Sequence, residues 1–215
     1  MGWLARLFSS SKKRPLDAEL LRRIRISFEE AAADEEHFPS SIDPRIFHVQ
    51  LILRYFGALD GKRVLDAGCG KGRFARILKE QNPGASIVAL DLAEAMLRAA
   101  PPGLARVSAT MTALPLGDAS FDAAYATESL EHAVDIAGAV GEMCRVVKPG
   151  GRIVIIDKNR EQWGRLKTPE WEKWFGREEL EKLLRRHCRE VSSQFISYWE
   201  DVPPDGLFLA WLARK

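Results

Sequence analysis

The chain has 215 residues, of which 46% are hydrophobic and 29% charged, and its formal net charge is +2. These values are ordinary for a globular protein, give no strong field for binding nucleic acid, and suit one α/β domain with a short extension. No apolar run approaches the roughly 18 residues that a membrane-spanning helix needs. Cys69, Cys144 and Cys188 are scattered, which predicts a reducing, cytoplasmic setting and neither a disulfide framework nor a zinc site.

Residues 1–14, MGWLARLFSSSKKR, place apolar side chains on one helical face and add basic residues with no acid. One interpretation is a basic amphipathic tail that contacts a membrane peripherally. The other is a frayed tail, or a helix packed on the domain. The segment lacks the apolar length and the cleavage site of a secretory signal.

Residues 15–60 are predicted to form an N-terminal helical cap. Apolar residues recur at every fourth position over 15–33, which indicates a first amphipathic helix. A polar break follows. Ser41 or Asp43 can then cap a second helix, and Gly57 is expected to end it.

The segment 63–74, RVLDAGCGKGRF, reads as strand, glycine turn and helix, the opening of a βαβ unit. A dinucleotide fingerprint would need its third glycine at Arg73. The segment instead resembles motif I of the class I S-adenosylmethionine-dependent methyltransferases. The resemblance implies that Asp66 faces the methionine part of the cofactor S-adenosyl-L-methionine. It also implies that Gly68 and Gly70 let the backbone pass close to it.

This resemblance covers about Lys62 to the C-terminus and carries an expected architecture for residues 61–215. The fold class is α/β, a Rossmann-like, seven-stranded and mostly parallel sheet with a C-terminal antiparallel hairpin and helices on both faces. In this family, helices ahead of the first strand cover the cleft for cofactor and acceptor.

A second apolar strand, SIVALD, is predicted over 86–91 and ends in Asp91. A carboxylate at this place can accept hydrogen bonds from both ribose hydroxyls, and its spacing from the glycine loop fits that role. We therefore expect Asp91 to bind ribose and Leu92 to pack against adenine. Asp91 can also be the N-cap of a helix over 94–99, and both roles are compatible.

The block LPLGDASFD, which follows a predicted third strand over 104–109, resembles the stretch before the fourth strand in small-molecule methyltransferases of the ubiquinone and menaquinone pathways. That group often has an acid four residues before the L-P pair, able to accept from the adenine amino group. Thr110 stands there in this chain, and a hydroxyl accepts more weakly than a carboxylate. We expect Thr110, or the backbone around Met111, to contact adenine.

The fourth strand is predicted over 121–127, and its carboxyl end lies where open α/β sheets bind ligands. Thr127 is assigned to the cofactor site. His132 is a candidate general base, since its ordinary pKa suits proton abstraction near neutrality. The alternative is that Glu131 and His132 only open the next helix. The sequence pattern shows no metal-ligand cluster, so no metal is expected.

The run RVVKPGGRIVIID matches the turn and fifth strand of the same family. In the segment 159–175, Trp163, Trp171 and Trp174 either line an acceptor pocket or pin an insert to the sheet. Further helices and strands are predicted over 137–147, 152–157, 177–187, 191–198 and 206–213.

These features predict methyl transfer from S-adenosyl-L-methionine to a small-molecule or lipid-linked acceptor, such as a quinone precursor or a glycolipid. No nucleic-acid partner is expected, because there is no basic stripe beyond the first residues. One alternative is a non-catalytic cofactor-binding scaffold, to which Thr110 points. Another is a dinucleotide oxidoreductase, against which Arg73 and the closing hairpin argue.

Overall fold

The computed structural model describes residues 15–215, with side chains from residue 18 onward, so the tail predicted over 1–14 lies outside the described residues. A single sheet dominates this part of the chain. Its strands are β1 (Arg63–Ala67), β2 (Ser86–Asp91), β3 (Ala105–Ser108), β4 (Phe121–Thr127), β5 (Val147–Lys158), β6 (Glu190–Ile196) and β7 (Phe208–Arg214). The spatial order is β3-β2-β1-β4-β5-β7-β6.

The helices are α1 (Pro15–Ala31), α2 (Phe47–Phe56), α3 (Arg73–Gln81), α4 (Glu94–Ala99), α5 (Ile136–Val146) and α6 (Arg177–Leu184). Short 3-10 turns occupy Leu130–His132 and Arg160–Gln162. None of the helices within 15–215 combines the length and the apolar character that crossing a bilayer requires.

β1 to β5 run parallel, and β7 runs antiparallel to both of its neighbours, β5 and β6. The predicted mostly parallel sheet with a closing antiparallel hairpin is confirmed. Phe208 at the start of β7 pairs with Lys158 at the end of β5 and with Ile196 at the end of β6. The loops after β5 and β6 therefore lie at the same sheet edge as the carboxyl ends of β1 and β4.

The core is split between the two faces of the sheet, as expected from the period of a strand. Along β1, Val64 packs on the face covered by α2 and α3, while Leu65 packs on the face covered by α5 and α6. Both are fully buried. This alternation fixes the register of β1, because a one-residue slip would turn Asp66 to the wrong side.

The predicted cap of the second helix is wrong. α2 begins at Phe47 with Ile46 at the N-cap position and no side-chain cap. Asp43 instead accepts hydrogen bonds from the backbone N–H of Arg45, at 2.8 Å, and from its guanidinium. Gly57, with φ of 68°, ends α2 as predicted, and its N–H donates to the Leu53 carbonyl at 2.9 Å.

The fifth strand is longer than its apolar core suggests. β5 begins at Val147, so the Pro149-Gly150-Gly151 turn lies inside it. The register against β4 shifts there, since Phe121 pairs with Val147 and Ala123 already pairs with Arg152. A loop-out of this kind is how a strand absorbs extra residues without losing its pairing.

His48 is fully buried on α2 between the rings of Tyr198 and Phe208, at centroid distances of 4.9 and 5.1 Å. Neither ring nitrogen has a hydrogen-bond partner among the described residues. Burial lowers the pKa of His48 to about 4. Between about pH 6.5 and pH 4 the imidazole is therefore neutral in the folded protein, whereas in the unfolded chain it is protonated.

The free energy of unfolding of the wild type should consequently fall as the pH drops from about 6.5 toward 4, by about 3 kcal/mol at the acid end. His48→Leu should remove this loss. The check is chemical denaturation of wild type and variant at several pH values. The exposed His187 gives a matched control in His187→Gln, which should leave the wild-type pH dependence intact. A constant difference between His48→Leu and wild type would refute the assignment.

Candidate functional site

A cavity of about 380 Å³ opens at the carboxyl edge of the sheet, between the ends of β1, β2, β4 and β5 and the covering helix α1. It brings together every residue that the sequence assigned to the cofactor, as well as His132. Those residues are Asp66, Gly68, Gly70, Asp91, Leu92, Thr110, Met111 and Thr127.

Asp91 organises the glycine loop. One carboxylate oxygen accepts from the Gly70 N–H at 2.8 Å, and the other accepts from the Ala93 N–H at 2.9 Å. The N-cap of α4 is Ala93 rather than Asp91. Burial raises the pKa of Asp91, and the backbone donors work against that rise. Each oxygen keeps a free lone pair, so the carboxylate can hold the loop and still accept from a ligand.

Asp66 lies one strand away at the end of β1 and is 2% exposed. The Tyr125 hydroxyl donates to it at 2.7 Å. Burial raises the pKa of Asp66 to about 7, although the Tyr125 hydrogen bond lowers it in part. A positively charged ligand group in the cavity would favour the ionised form of this carboxyl.

Gly68 and Gly70 both lie in the left-handed region, with φ of 76° and 52°. A Cβ on Gly68 would stand 2.5 Å from the Ser129 Cβ, whereas a Cβ on Gly70 would meet nothing within 4 Å. Ser129 cannot easily yield, because it is buried and its hydroxyl donates to the Ala67 carbonyl at 2.9 Å. Gly68 is therefore required by packing, and Gly70 borders open cavity space.

The two alanine substitutions should separate these roles. Gly68→Ala should lower the free energy of unfolding by about 2 to 3 kcal/mol, through overpacking and backbone strain. Gly70→Ala should lose only about 1 kcal/mol of stability from strain, yet weaken binding of S-adenosylmethionine. Urea denaturation and calorimetric titration measure the two effects. Equal stability losses in both variants would contradict the packing argument.

Around Thr110 and Met111, the residues expected to contact adenine, the structure adds a contact that the sequence did not reveal. The Thr110 hydroxyl lies 2.9 Å from the Thr112 hydroxyl and also accepts from the Thr112 N–H at 3.3 Å. Met111 is nearly buried beside it. Because two hydroxyls share one hydrogen bond, either can turn a lone pair toward a ligand amino group.

The turn after α1 is fixed to the glycine loop by a buried lysine. Lys71, whose side chain is 1% exposed, donates to Glu35 at 2.7 Å and to the Asp34 carbonyl at 3.2 Å. The Lys71 hydrogen bond lowers the pKa of Glu35 to about 2. On α1 itself, the Glu29 carboxylate accepts from the first N–H groups of α4, at 2.7 and 2.9 Å. No sequence pattern indicates these partners, because they lie far apart along the chain.

Beyond the residues that the sequence assigned to the cofactor, the cavity wall contains a buried cluster of ionisable groups at the ends of β4 and β5. The Lys158 ammonium donates to Glu131 and, at 3.1 Å, to Glu172. The Trp174 indole N–H also donates to Glu172, at 2.6 Å, and Asp157 accepts from the Glu131 N–H at 3.1 Å. All five residues are buried. Sequence reasoning singled out only Glu131 and Trp174 among them.

Burial determines the protonation states of Glu131 and His132 in this cluster. Burial and the neighbouring Asp157 raise the pKa of Glu131 to about 11. Burial and the Lys158 charge lower the pKa of His132 to about 3. The imidazole is thus neutral near pH 7. Its Nδ1 has no partner among the described residues. The Phe28 ring of α1 packs against the imidazole, with 4.9 Å between the two ring centroids.

Glu131, His132 and Glu172 each place a potential metal-ligand atom within 4.8 Å of the others. The sequence spacing did not indicate this group, because Glu172 joins from a distant loop. The Lys158 ammonium bonds both carboxylates and supplies a positive charge to them.

Several polar atoms on this cavity are buried without a partner among the described residues. They are Thr127 Oγ1, Glu131 Oε2, His132 Nδ1 and Trp171 Nε1. Buried polar groups are normally paired, so a cluster of exceptions indicates a ligand that completes them. With Asp91, the open space at Gly70 and the apolar Leu92 and Met111 nearby, the residues fit a ligand that has ribose, adenine and charged parts.

A family model described as a methyltransferase domain matches residues 65–155. Over 106 residues the chain is 40% identical to a malonyl-[acyl-carrier protein] O-methyltransferase of Pseudescherichia vulneris, covering 48% of this chain and 41% of that protein. Over 103 residues it is 39% identical to a demethylmenaquinone methyltransferase of Thermus thermophilus, covering 45% of this chain and 47% of that protein. The aligned part spans less than half of either relative.

The fold is shared with a solved S-adenosylmethionine-dependent methyltransferase from Thermotoga maritima. The TM-score is 0.67 at 24% identity, over 89% of this chain and 99% of that one. The residues that match the family model hold the glycine loop and the segment that follows β4. Residues 65–155 are therefore similar to a methyltransferase domain.

Proposed function

We propose that this protein transfers a methyl group from S-adenosylmethionine to a small-molecule acceptor with an apolar body and a polar reacting end. The observation that carries the proposal is that one continuous cavity holds both groups of residues. It joins the Asp91-bound glycine loop to a wall of unpartnered polar atoms after β4 and β5. Donor and acceptor can thus meet in one space that α1 screens from water, which is what a direct transfer requires.

When bound, S-adenosylmethionine supplies an electrophilic methyl group on a sulfonium. Asp91 would hold its ribose, and Leu92 and Met111 its adenine. Thr127 and Asp66 would face its methionine part, and Asp66 would be ionised beside that positive charge. Asp91, Asp66 and Thr127 lie at the carboxyl ends of three adjacent strands, β2, β1 and β4, so the sheet itself sets their spacing.

His132 is the group placed to accept a hydrogen bond from an acceptor hydroxyl, through its free Nδ1. It is neutral near pH 7, because burial lowers its pKa to about 3. Glu131, 3.6 Å from its Nε2, also holds its proton near pH 7, since its pKa is raised to about 11. So weak a base contributes mainly by orienting the hydroxyl toward the methyl group. His132→Asn should lower kcat while leaving affinity for S-adenosylmethionine within about twofold; an equal loss of both would remove His132 from this role.

The acceptor end of the cavity is amphipathic. Leu21, Phe28, Phe38 and Leu166 line it, and Phe38 and Leu166 are partly exposed. The Trp171 indole N–H can only donate, so an oxygen on the acceptor would complete its hydrogen bond. A quinone precursor or a glycolipid combines an apolar body with such oxygens, and one relative is a demethylmenaquinone methyltransferase.

The deciding experiment titrates the purified protein with S-adenosylmethionine, with NADH as the control cofactor. We expect micromolar binding of the first alone. Transfer of a radiolabelled methyl group to quinone precursors and to glycolipids then tests the acceptor class. If neither cofactor binds, the proposal is wrong.

The second candidate is a cofactor-binding scaffold without transferase activity. Thr110 favours it, because its hydroxyl replaces a carboxylate and is already engaged with Thr112. Tight binding of S-adenosylmethionine combined with no methyl transfer to any acceptor class would select this candidate. Thr110→Asp would then be expected to tighten binding of the cofactor.

A lipid-linked acceptor would also suit peripheral membrane contact through residues 1–14, which lie outside the described part of the chain. Deleting these residues should reduce co-sedimentation with anionic vesicles, since four basic side chains would be removed. Binding that is unchanged by the deletion would reject the membrane role of the tail.

A further inference from the structure

A second cavity, of about 270 Å³, lies at the opposite edge of the sheet, where the turn within β5 meets the end of α2. It is thus separated from the methyltransferase site by the length of the strands. Four basic side chains line it, and Asp122 is the acid among its lining residues. The basic residues are Lys62, Lys148, Arg152 and Arg214.

Only part of this positive charge is neutralised. Lys148 pairs with Asp122 at 2.7 Å, and the same carboxylate accepts from the Arg63 N–H at 2.8 Å. Arg214 approaches Glu190 only loosely, at 3.7 Å. Lys62 has no acidic partner among residues 15–215 within ion-pair distance, nor has Arg152. The cavity therefore keeps an excess of positive charge with space in front of it.

The Arg152 side chain is fixed in place by contacts with the end of α2. One of its terminal nitrogens donates to the carbonyls of Tyr55 and Phe56 at the end of α2, and its guanidinium lies 5.6 Å from the centre of the Tyr55 ring. These partners anchor one side of the planar fork and leave its other N–H groups available. An anchored arginine loses little freedom on binding and matches phosphate oxygens in pairs.

The backbone around the cavity is already satisfied. The Gly150 N–H donates to the Lys215 backbone oxygen at 2.7 Å, and the Gly150 carbonyl accepts from Arg214 at 3.3 Å. Ligand binding here would thus depend on the side chains of Lys62 and Arg152, with Arg214 at the rim. These charges set the sign of the ligand, and the cavity volume limits its size.

We propose that this cavity binds a compact anion with phosphate groups, separately from the methyl-transfer site. Two cations without an acid in ion-pair distance, one of them a pre-anchored guanidinium, are the chemistry that recognises phosphate. Arg214, which is only loosely paired with Glu190, adds a third positive charge. The phosphate can belong to a free diphosphate-bearing molecule or to the headgroup of an anionic phospholipid. Both would use the same side chains.

Two arms distinguish these sources. Inorganic pyrophosphate is titrated calorimetrically into the full chain, and vesicles with and without phosphatidic acid are co-sedimented with it. Lys62→Glu should weaken whichever interaction exists by about tenfold or more, because it reverses a charge facing the ligand. Lys62→Arg should retain the interaction. Pyrophosphate binding assigns the free source, and binding of phosphatidic acid vesicles alone assigns the lipid.

The matched control is Lys182→Glu, an exposed lysine on α6 that makes the same change in net charge outside this cavity. It should leave both interactions within about twofold of wild type. Arg214→Gln gives a second cavity variant, and every variant should bind S-adenosylmethionine like wild type. The proposal is overturned if neither probe binds, or if Lys62→Glu and Lys182→Glu weaken binding equally.

Discussion

Asp91→Ala is expected to weaken binding of S-adenosylmethionine by about 10- to 100-fold, the equivalent of roughly 1.4 to 3 kcal/mol. The carboxylate holds Gly70 and Ala93 through hydrogen bonds of 2.8 and 2.9 Å. Its removal therefore loses the proposed ribose contact and also releases the glycine loop that surrounds the ligand. Calorimetric titration of the purified variant measures the loss directly.

Asp91→Asn is the matched control, because it keeps the size of the side chain and one accepting oxygen. We expect it to bind with intermediate affinity and to remain folded by near-ultraviolet circular dichroism. If Asp91→Ala were folded and bound S-adenosylmethionine like wild type, the ribose assignment would be wrong. The cofactor would then have to lie elsewhere in the cavity.

The elements that the sequence predicts best are those built from uninterrupted local patterns. The strands SIVALD and FDAAYAT and the short helix between 94 and 99 have the predicted bounds. Each is an apolar run or helical turn next to a glycine, an acid or a polar loop. In such segments the local preference for strand or helix agrees with the burial that the fold imposes, so the local pattern predicts the final structure.

The parts that escaped prediction are contacts between residues far apart along the chain. Lys71 reaches back to Glu35, and Lys158 gathers Glu131 and Glu172 from two different loops. Such pairs exist only after the crossovers of the sheet have placed the segments side by side. A single sequence carries the residue types of these pairs but not their proximity.

Cysteine spacing illustrates the same limit. Cys144 and Cys188 look unrelated in the sequence, yet their sulfur atoms lie 3.8 Å apart where α5 meets the segment after α6. Both thiols are buried and free. The expectation of no disulfide framework rested on count and spacing, whereas proximity is a property of helix packing.

The two ends of the cavity thus depend on different forces. Beside the glycine loop, backbone N–H groups donate to the Asp91 carboxylate, so substitutions there should mainly change ligand affinity. Beside the ends of β4 and β5, one lysine bonds two buried acids, so substitutions there should mainly change stability. Substituting that lysine therefore tests the wall on which the proposed acceptor chemistry depends.

Lys158→Met is expected to lower the free energy of unfolding by about 3 to 5 kcal/mol near neutral pH, because it leaves buried acids without their cation. Glu131 and Glu172 are 1% and 5% exposed, so water cannot replace the ammonium. Urea denaturation gives the loss. Lys148→Met is the control, since Lys148 pairs with Asp122 at a similar distance but is 44% exposed; it should cost no more than about 1 kcal/mol.

The loss in Lys158→Met should change little between about pH 8 and pH 5. Burial raises the pKa of Glu131 to about 11, and removing the lysine charge raises it further. Glu131 therefore keeps its proton in the folded wild type and in the folded variant throughout this range, and its proton uptake on folding cancels in the difference between them. A deficit that shrinks on acidification would mean instead that Glu131 is ionised beside Lys158 in the wild type and that the variant recovers stability by protonating it.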